Sequence, residues 1–307
     1  MKLEIVIPFY NEEACILETF QRLLLVKDIL ANRYEVSFIF VNDGSKDKTI
    51  NLLSEIKQSR DDVRVIDLSR NFGHQIALTA GLDFASADYV AVLDGDMQDP
   101  PELLPMMLDV AQSGFDVVYG QRNTREGETW FKLLSAKIFY QLLSKLCEVQ
   151  IPKDTGDFRV MNKKVLESLK SMRERHRFIR GLVPYSGFRQ IAFKYDRKER
   201  FAGTTKYPLK KMIRFALDAI FSFSTRPLKF IRYLGLVSLI ISAYLLFKIA
   251  YLKFVDGGVV PGYSSLVVIL VFFSSMQILS ISILGEYIGR IFEESKQRPL
   301  YFINRIL

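Results

Sequence analysis

The residues best suited to chemistry lie in one short stretch, Asp94-Gly95-Asp96-Met97-Gln98-Asp99-Pro100-Pro101. Two carboxylates at i and i+2 repel each other unless a cation lies between them. Hard divalent ions such as Mg2+ or Mn2+ take one or two carboxylates together with phosphate oxygens. Gln98 adds a neutral oxygen at the same spacing. Asp94, Asp96 and Gln98 are therefore the candidate metal ligands, and a phosphate-bearing substrate is what they suit. Asp99-Pro100-Pro101-Glu102 reads as a helix start with Pro in its first turn; that accounts for Asp99 and Pro100 but not for the pair Asp94 and Asp96. Two other polar turns precede this one: Pro8-Phe9-Tyr10-Asn11-Glu12, and Asn42-Asp43-Gly44-Ser45 followed by Asp47 and Thr49. Asn-Asp-Gly is also a common turn, and Ser45 or Asp47 can cap the helix that follows.

All three turns follow short apolar runs of strand length, 3–8, 36–41 and 89–93, and further runs of this kind are 63–68 and 117–120. Between them, 13–27, 48–58, 75–85 and 103–112 carry apolar residues at helical spacing. Strands alternating with helices predict an α/β fold, a mostly parallel Rossmann-like sheet with helices on both faces. Ligands of such sheets bind beyond the carboxyl ends of the strands, where the three polar turns fall.

The 307-residue chain is 49% apolar and 25% charged, and its mean hydropathy is +0.12. This excludes a disordered protein and implies one soluble and one lipid-facing part. Two cysteines exclude a disulfide scaffold, and Cys15 and Cys147 read as core thiols of a reducing compartment. The opening MKLEIVIPFYN is too short in its apolar run to be a signal peptide, so the N-terminus is expected in the cytoplasm. Residues 233–252 and 264–284 are two nearly uninterrupted apolar runs, each long enough for one crossing of a bilayer. Gly257, Gly258, Pro261 and Gly262 lie between them, so the two form a hairpin. Arg226, Lys229 and Arg232 before the hairpin, and Arg290, Lys296, Arg298 and Arg305 after it, place both flanks in the cytoplasm. Residues 206–232 interleave basic and aromatic side chains, as an amphipathic segment in the headgroup layer does. The net charge of +8 thus concentrates at a membrane; with no recognition motif present, nucleic acid is not an expected partner. The expected organisation is a catalytic domain over 1–205, a juxtamembrane segment over 206–232, a transmembrane hairpin over 233–284 and a cytoplasmic tail over 285–307.

PFYNEE, VNDGSKDKT, LSRNFGHQIAL, DGDMQDPPEL, TGDFRVM and LGEYIGRIFEESKQRP, in this order, span essentially the whole chain. The string resembles the family 2 glycosyltransferases similar to dolichyl-phosphate mannose synthase, and within them the bacterial polyprenyl-phosphate (bactoprenol) glucosyltransferases with a two-helix anchor. The resemblance implies a GT-A fold, a nucleotide-sugar donor, a polyprenyl-phosphate acceptor, a Mg2+ or Mn2+ cofactor and a homo-oligomer, a tetramer. It implies donor contacts at Pro8, Tyr10, Asn11, Glu12, Val41, Asp43, Gly95 and Arg122, metal ligation by Asp94, Asp96 and Gln98, and phosphate contacts at Arg200 and Lys206. Asp157, in Thr155-Gly156-Asp157-Phe158-Arg159, matches the position of the family's catalytic base. The alternative for Asp157 is an ion pair with Arg159 that shapes the loop. His74 stands where relatives often carry Lys, and is read as structural.

The implied reaction is inverting transfer of a hexose, glucose from UDP-glucose, to undecaprenyl phosphate at the cytoplasmic face of the inner membrane. Transfer of mannose or a modified aminoarabinose to the same lipid is the alternative within the class. A processive polysaccharide synthase usually needs more membrane spans. A non-catalytic nucleotide-binding membrane scaffold is the reading from another class, against which the intact acidic trio argues.

Overall fold

A computed structural model describes residues 1–122, 152, 155–196, 224–254 and 262–307. Residues 1–122, 155–196 and 298–307 fall in one compact unit, and 224–254 and 262–297 in a second.

The first unit is built on an eight-stranded sheet. In chain order its strands are β1 (Lys2–Phe9), β2 (Glu35–Asn42), β3 (Val63–Leu68), β4 (Tyr89–Val92), β5 (Val117–Arg122), β6 (Thr155–Asn162), β7 (Gln190–Tyr195) and β8 (Ile303–Ile306). Across the sheet the order is β7-β5-β6-β4-β1-β2-β3-β8. The pairs β1/β2, β1/β4, β2/β3 and β5/β7 are parallel. The pairs β4/β6, β5/β6 and β3/β8 are antiparallel. The expected mostly parallel α/β sheet is thus present, with β6 and β8 as its antiparallel members.

The helices that connect these strands are α1 (Ile16–Leu30), α2 (Thr49–Gln58), α3 (His74–Phe84), α4 (Leu104–Gln112), α5 (Lys163–Ser171) and α6 (Ile179–Tyr185). Helix α1 buries Ile16, Thr19, Leu23, Val26 and Leu30, one stripe at alternating three- and four-residue steps. Phe9, Phe38, Phe40 and Phe158 are among the largest side chains in the core beneath it. Helix α3 instead lies on the sheet through small residues. A Cβ on Gly81 would stand 2.3 Å from Val6 Cγ1, so the helix backbone approaches the sheet directly.

Strand β6 determines what the sheet can do. It enters between β4 and β5 from the opposite direction, pairing Val92 with Arg159. Continuing that antiparallel ladder by two residues sets Asp157 opposite Asp94. The chain order reverses at β1, which lies between β2 and β4, so the crevice of this sheet opens at the carboxyl ends of β1 and β4.

The second unit contains α7 (Arg226–Phe254) and α8 (Tyr263–Ser295). Arg226–Leu245 and Ile269–Ser295 are each long and apolar enough to cross a membrane, and no part of their apolar windows is buried in protein. Leu239 and Ile240 are each 67% exposed, a surface that water would solvate poorly. The helices extend beyond the runs read from the sequence: α7 begins at Arg226 and α8 continues to Ser295. The segment 285–307, grouped above as a tail, divides into the end of α8 and a strand of the sheet. Most of the amphipathic segment 206–232, and Cys147, lie outside the described residues. Cys15 is buried, as a core thiol should be.

Candidate active site

The turn after β4 presents Asp94, Asp96 and Gln98 partly exposed, alternating with buried Gly95, Met97 and Asp99. Two features fold it this way. Met97 holds a left-handed backbone (φ 61°), an unusual conformation for such a side chain. A Cβ on Gly95 would lie 2.7 Å from the Phe9 ring and 3.1 Å from Pro8 O, so only glycine lets this turn touch the end of β1. The Gln98 N–H donates to Asp96 Oδ1 at 3.2 Å.

Asp157, at the start of β6, is fully buried and accepts hydrogen bonds from three side chains. Arg180 Nε donates to Oδ1 and its Nη2 to Oδ2, both at 3.1 Å. Gln75 Nε2 donates to Oδ2 at 3.0 Å, and His74 Nε2 lies 3.0 Å from the same oxygen. Arg159, the partner expected from sequence, is 3.5 Å away at Nη2 and mainly binds backbone, the carbonyls of Asp157 and Gly156. Burial pushes the Asp157 carboxyl up, but the Arg180 charge, the His74 contact and Arg159 outweigh it and hold the group well below the usual carboxylate range. Such a carboxylate is a weak proton acceptor and a strong anchor for cations.

His74, read from the sequence as structural, stands between the Asp94 and Asp157 carboxylates. It opens α3, and its Nε2 stands 3.0 Å from Asp157 Oδ2 and 3.4 Å from Asp94 Oδ1. One ligand atom each from His74, Asp94 and Asp157 lie within 4.8 Å of one another. Burial lowers the imidazole's pKa, yet Asp157 and Asp94 raise it to about 9. Burial, together with Asp99, Asp157 and Asp96, pushes Asp94 up to about 6 against the opposing charge of His74. Asp94 Oδ1 is a buried oxygen that makes no hydrogen bond among the described residues and has the His74 charge 3.4 Å away. A carboxylate oxygen without a hydrogen bond, on a partly exposed turn that also carries Asp96 and Gln98, has the chemistry that suits a hard divalent cation.

The other turns support this centre. Asp43 is buried, and accepts from the Phe72 N–H at 2.7 Å, the Gly73 N–H at 3.0 Å and Asn71 Nδ2 at 3.0 Å. Burial still holds its pKa above the ordinary value, against those donors. Asp43 thus fixes the loop that delivers His74. Gly44 (φ 61°) lets the two loops touch, since a Cβ there would stand 2.3 Å from Arg70 C. Asn11 (φ 54°) stitches the β1 and β2 turns. Its N–H donates to Ser45 Oγ at 3.0 Å and its Oδ1 accepts from the Lys46 N–H at 2.8 Å. The Glu12 N–H donates to Thr49 Oγ1 at 3.1 Å.

Pro8 and Val41 are neighbours across β1 and β2, and Val41 is fully buried, so it supports the crevice floor from within. Tyr10 is 38% exposed at the end of β1. Arg122 ends β5 with its Nη2 3.1 Å from where a Gly156 Cβ would lie, and Asp99 Oδ2 is 3.5 Å from the same point. Tyr195 donates to Asp99 Oδ1, so Arg122 belongs to a group with Asp99 and Tyr195. Arg200 and Lys206 lie outside the described residues.

The profile of the family described as "Glycosyl transferase family 2" matches residues 4–170. An uncharacterized glycosyltransferase of Bacillus subtilis (strain 168), YkcC, is 47% identical over 99% of this chain and 94% of its own length. The bactoprenol glucosyl transferase of Shigella phage SfV is 38% identical over 99% of this chain and 98% of its own. Among solved structures, mannosyltransferase PcManGT from Pyrobaculum calidifontis in complex with GDP-Man and Mn2+ superposes with a TM-score of 0.50 at 15% identity, covering 93% of this chain and 86% of that one.

Proposed function

The chain belongs to glycosyl transferase family 2, and from that premise we propose that it moves a hexose from a nucleotide sugar to a polyprenyl phosphate at a membrane surface. The donor proposed is UDP-glucose, the acceptor undecaprenyl phosphate, and the outcome inversion at the anomeric carbon. The observation that carries this reading is whole-chain similarity, through both apolar helices, to a protein named bactoprenol glucosyl transferase.

A phosphate monoester acceptor has a second pKa of about 6, so it reaches the site already largely dianionic. The chain then needs to neutralise a leaving diphosphate and hold two anions in line, more than it needs to remove a proton. Asp94, Asp96 and Gln98 would hold a divalent ion, which when bound supplies Lewis-acid stabilisation of the departing diphosphate. Asp157, saturated with donors, orients Arg180 and His74 toward that edge instead of accepting the acceptor's proton. Arg122 stands at the same end of the sheet, where a donor phosphate or sugar would meet it, and Asp43 with Pro8, Tyr10, Asn11, Glu12, Val41 and Gly95 shapes the nucleoside side. Arg200 and Lys206 are proposed for phosphate binding near the lipid.

The helices α7 and α8 are proposed to span the inner membrane, with the catalytic unit on the cytoplasmic side and the chain assembled as a homo-oligomer. The lipid tail explains such an anchor. Each CH2 drawn out of the bilayer costs about 0.8 kcal/mol, so the enzyme must meet the phosphate at the headgroup layer.

The test is direct. Membranes containing the full chain are incubated with undecaprenyl phosphate and a panel of UDP- and GDP-sugars, with and without divalent ion, and the glycolipid is weighed by mass spectrometry. A hexosyl lipid from UDP-glucose is expected; mannosyl or aminoarabinosyl lipid would move the assignment to those donors. No glycolipid from any donor would refute the reading in favour of a nucleotide-binding scaffold.

A further inference from the structure

Past Ser295 and the left-handed Gln297 (φ 48°), the chain returns to the sheet of the first unit. Strand β8 adds to the outer edge of β3, Ile66 opposite Ile306 and Leu68 opposite Ile303. Backbone bonds join Val65 and Leu307 in both directions, at 2.9 and 3.1 Å. Side chains reinforce the edge, since Asn304 Nδ2 donates to Asp67 Oδ2 at 2.9 Å and Arg305 Nε reaches the same oxygen at 3.3 Å.

Two residues do something else. The Tyr301 hydroxyl donates to Asp83 Oδ2, on α3, at 2.8 Å. Burial and the Asp83 carboxylate both raise the phenol's pKa, so it stays a donor. The Phe302 carbonyl accepts from the Ser69 N–H at 3.0 Å, and its ring lies against Phe72 with centroids 6.4 Å apart. Segment 298–307 therefore grips β3, the loop that follows it and α3 together. That loop, residues 69–73, leads straight into His74, and Asp43 holds it as well, through Asn71, Phe72 and Gly73.

The geometry points to residues 298–307 as a strap that positions His74 against Asp94 and Asp157, with Tyr301 and Phe302 as positioning residues for sugar transfer that never touch substrate. This rests on the reading of that site given under Proposed function. Asp43 alone leaves the loop free to swing outward about Gly73, whose φ of 99° is open to few residues but glycine. The added contacts from Tyr301 and Phe302 restrict that movement. A loop held by few buried contacts opens locally long before the sheet unfolds, so its outer contacts decide how often His74 is in place.

The test uses the full chain in lipid nanodiscs, comparing Phe302→Ala, Tyr301→Phe and Phe302→Tyr with the parent. Loss of one aromatic contact should make the amides of Asn71, Phe72 and Gly73 exchange about five- to tenfold faster. Those of β1 should keep their rates. In Phe302→Ala, kcat should fall by a similar factor while KM for the lipid acceptor holds, and Phe302→Tyr should restore both loop protection and turnover. Unchanged exchange at 71–73 in both Phe302→Ala and Tyr301→Phe overturns the proposal, as does a loosened loop with the parent's kcat. Absence of glycolipid from the parent chain would instead count against the proposed reaction, and loop exchange would still decide whether the strap holds the loop.

Discussion

Substituting Gly44 by Ala tests whether the contact between two strand-end loops builds the site. The added methyl would stand 2.3 Å from Arg70 C, 2.5 Å from Asn71 N and 2.8 Å from Arg70 Cα, all backbone atoms that no rotamer change can move aside. Ordinary carbon contacts lie at about 3.5–4.0 Å, so the loop must retreat by roughly 1 Å. Its amides at Phe72 and Gly73 now reach Asp43 at 2.7 and 3.0 Å, and such a retreat breaks at least one of these bonds. A hydrogen bond to a charged group contributes about 1.5–3 kcal/mol. The left-handed backbone adds about 1–2 kcal/mol for any residue with a Cβ. Gly187→Ala is the matched comparison: its φ of 74° carries similar strain, but nothing lies within 4 Å of the new methyl. Gly44→Ala should therefore be less stable than Gly187→Ala by about 2–3 kcal/mol. At roughly 2–4 °C per kcal/mol for a domain of this size, that is a Tm lower by about 4–12 °C in thermal unfolding of the detergent-solubilised chain. Glycolipid synthesis should fall in Gly44→Ala alone, because only there does His74 move. Equal Tm and equal activity in the two variants would refute the inference that close backbone approach at Gly44 positions the site.

Asp157→Asn removes the charge that holds Arg180 and His74, and transfer should drop by about a hundredfold or more, with nucleotide affinity by calorimetry within a few-fold of the parent. Parent-like turnover in that variant would take Asp157 out of the site. Asp94, raised from 3.8 to about 6 by burial first, is protonated in acid and must lose that proton to bind a cation. Divalent affinity should therefore fall about tenfold for each pH unit below about 6. The same raised pKa makes the folded state less stable as pH climbs from 3.8 through about 6, and Mn2+ should restore that loss. Equal Mn2+ affinity at acid and neutral pH would contradict this. Ile240→Lys places a charge on the exposed face of α7 and should cost about 2.5–3.5 kcal/mol of insertion, read as less chain in the washed membrane fraction.

The first five strands were legible because each contains a short, largely apolar and buried run. Strand β6 carries no such signal: Gly156, Asp157 and Arg159 interrupt it, and their burial is satisfied by partners that only the folded sheet supplies. Strand β8 is four residues of mixed polarity whose place comes from the edge it covers. The acidic turn was legible as a polar stretch closing an apolar run, in step with the two earlier strand-end turns. His74 was not, because its role depends on the direction of β6. Nothing in the sequence says that this strand runs against β4, and only that direction brings Asp157 across to Asp94. Asp43 was legible as a polar strand-end residue, but its hold on the loop before α3, 28 to 30 residues away, was not.

The insertion of β6 between β4 and β5 has a consequence for biosynthesis. The edge of β4 that β6 will cover is complete once residue 92 has been made, but its partner begins only at residue 155. At about 5–20 residues per second, the nascent chain leaves that ladder unsatisfied for several seconds. For that time the ribosome carries a half-sheet with an adhesive apolar rim. Chaperone dependence should concentrate in this window, and a translational pause between these two strands would raise the fraction of chain lost to aggregation.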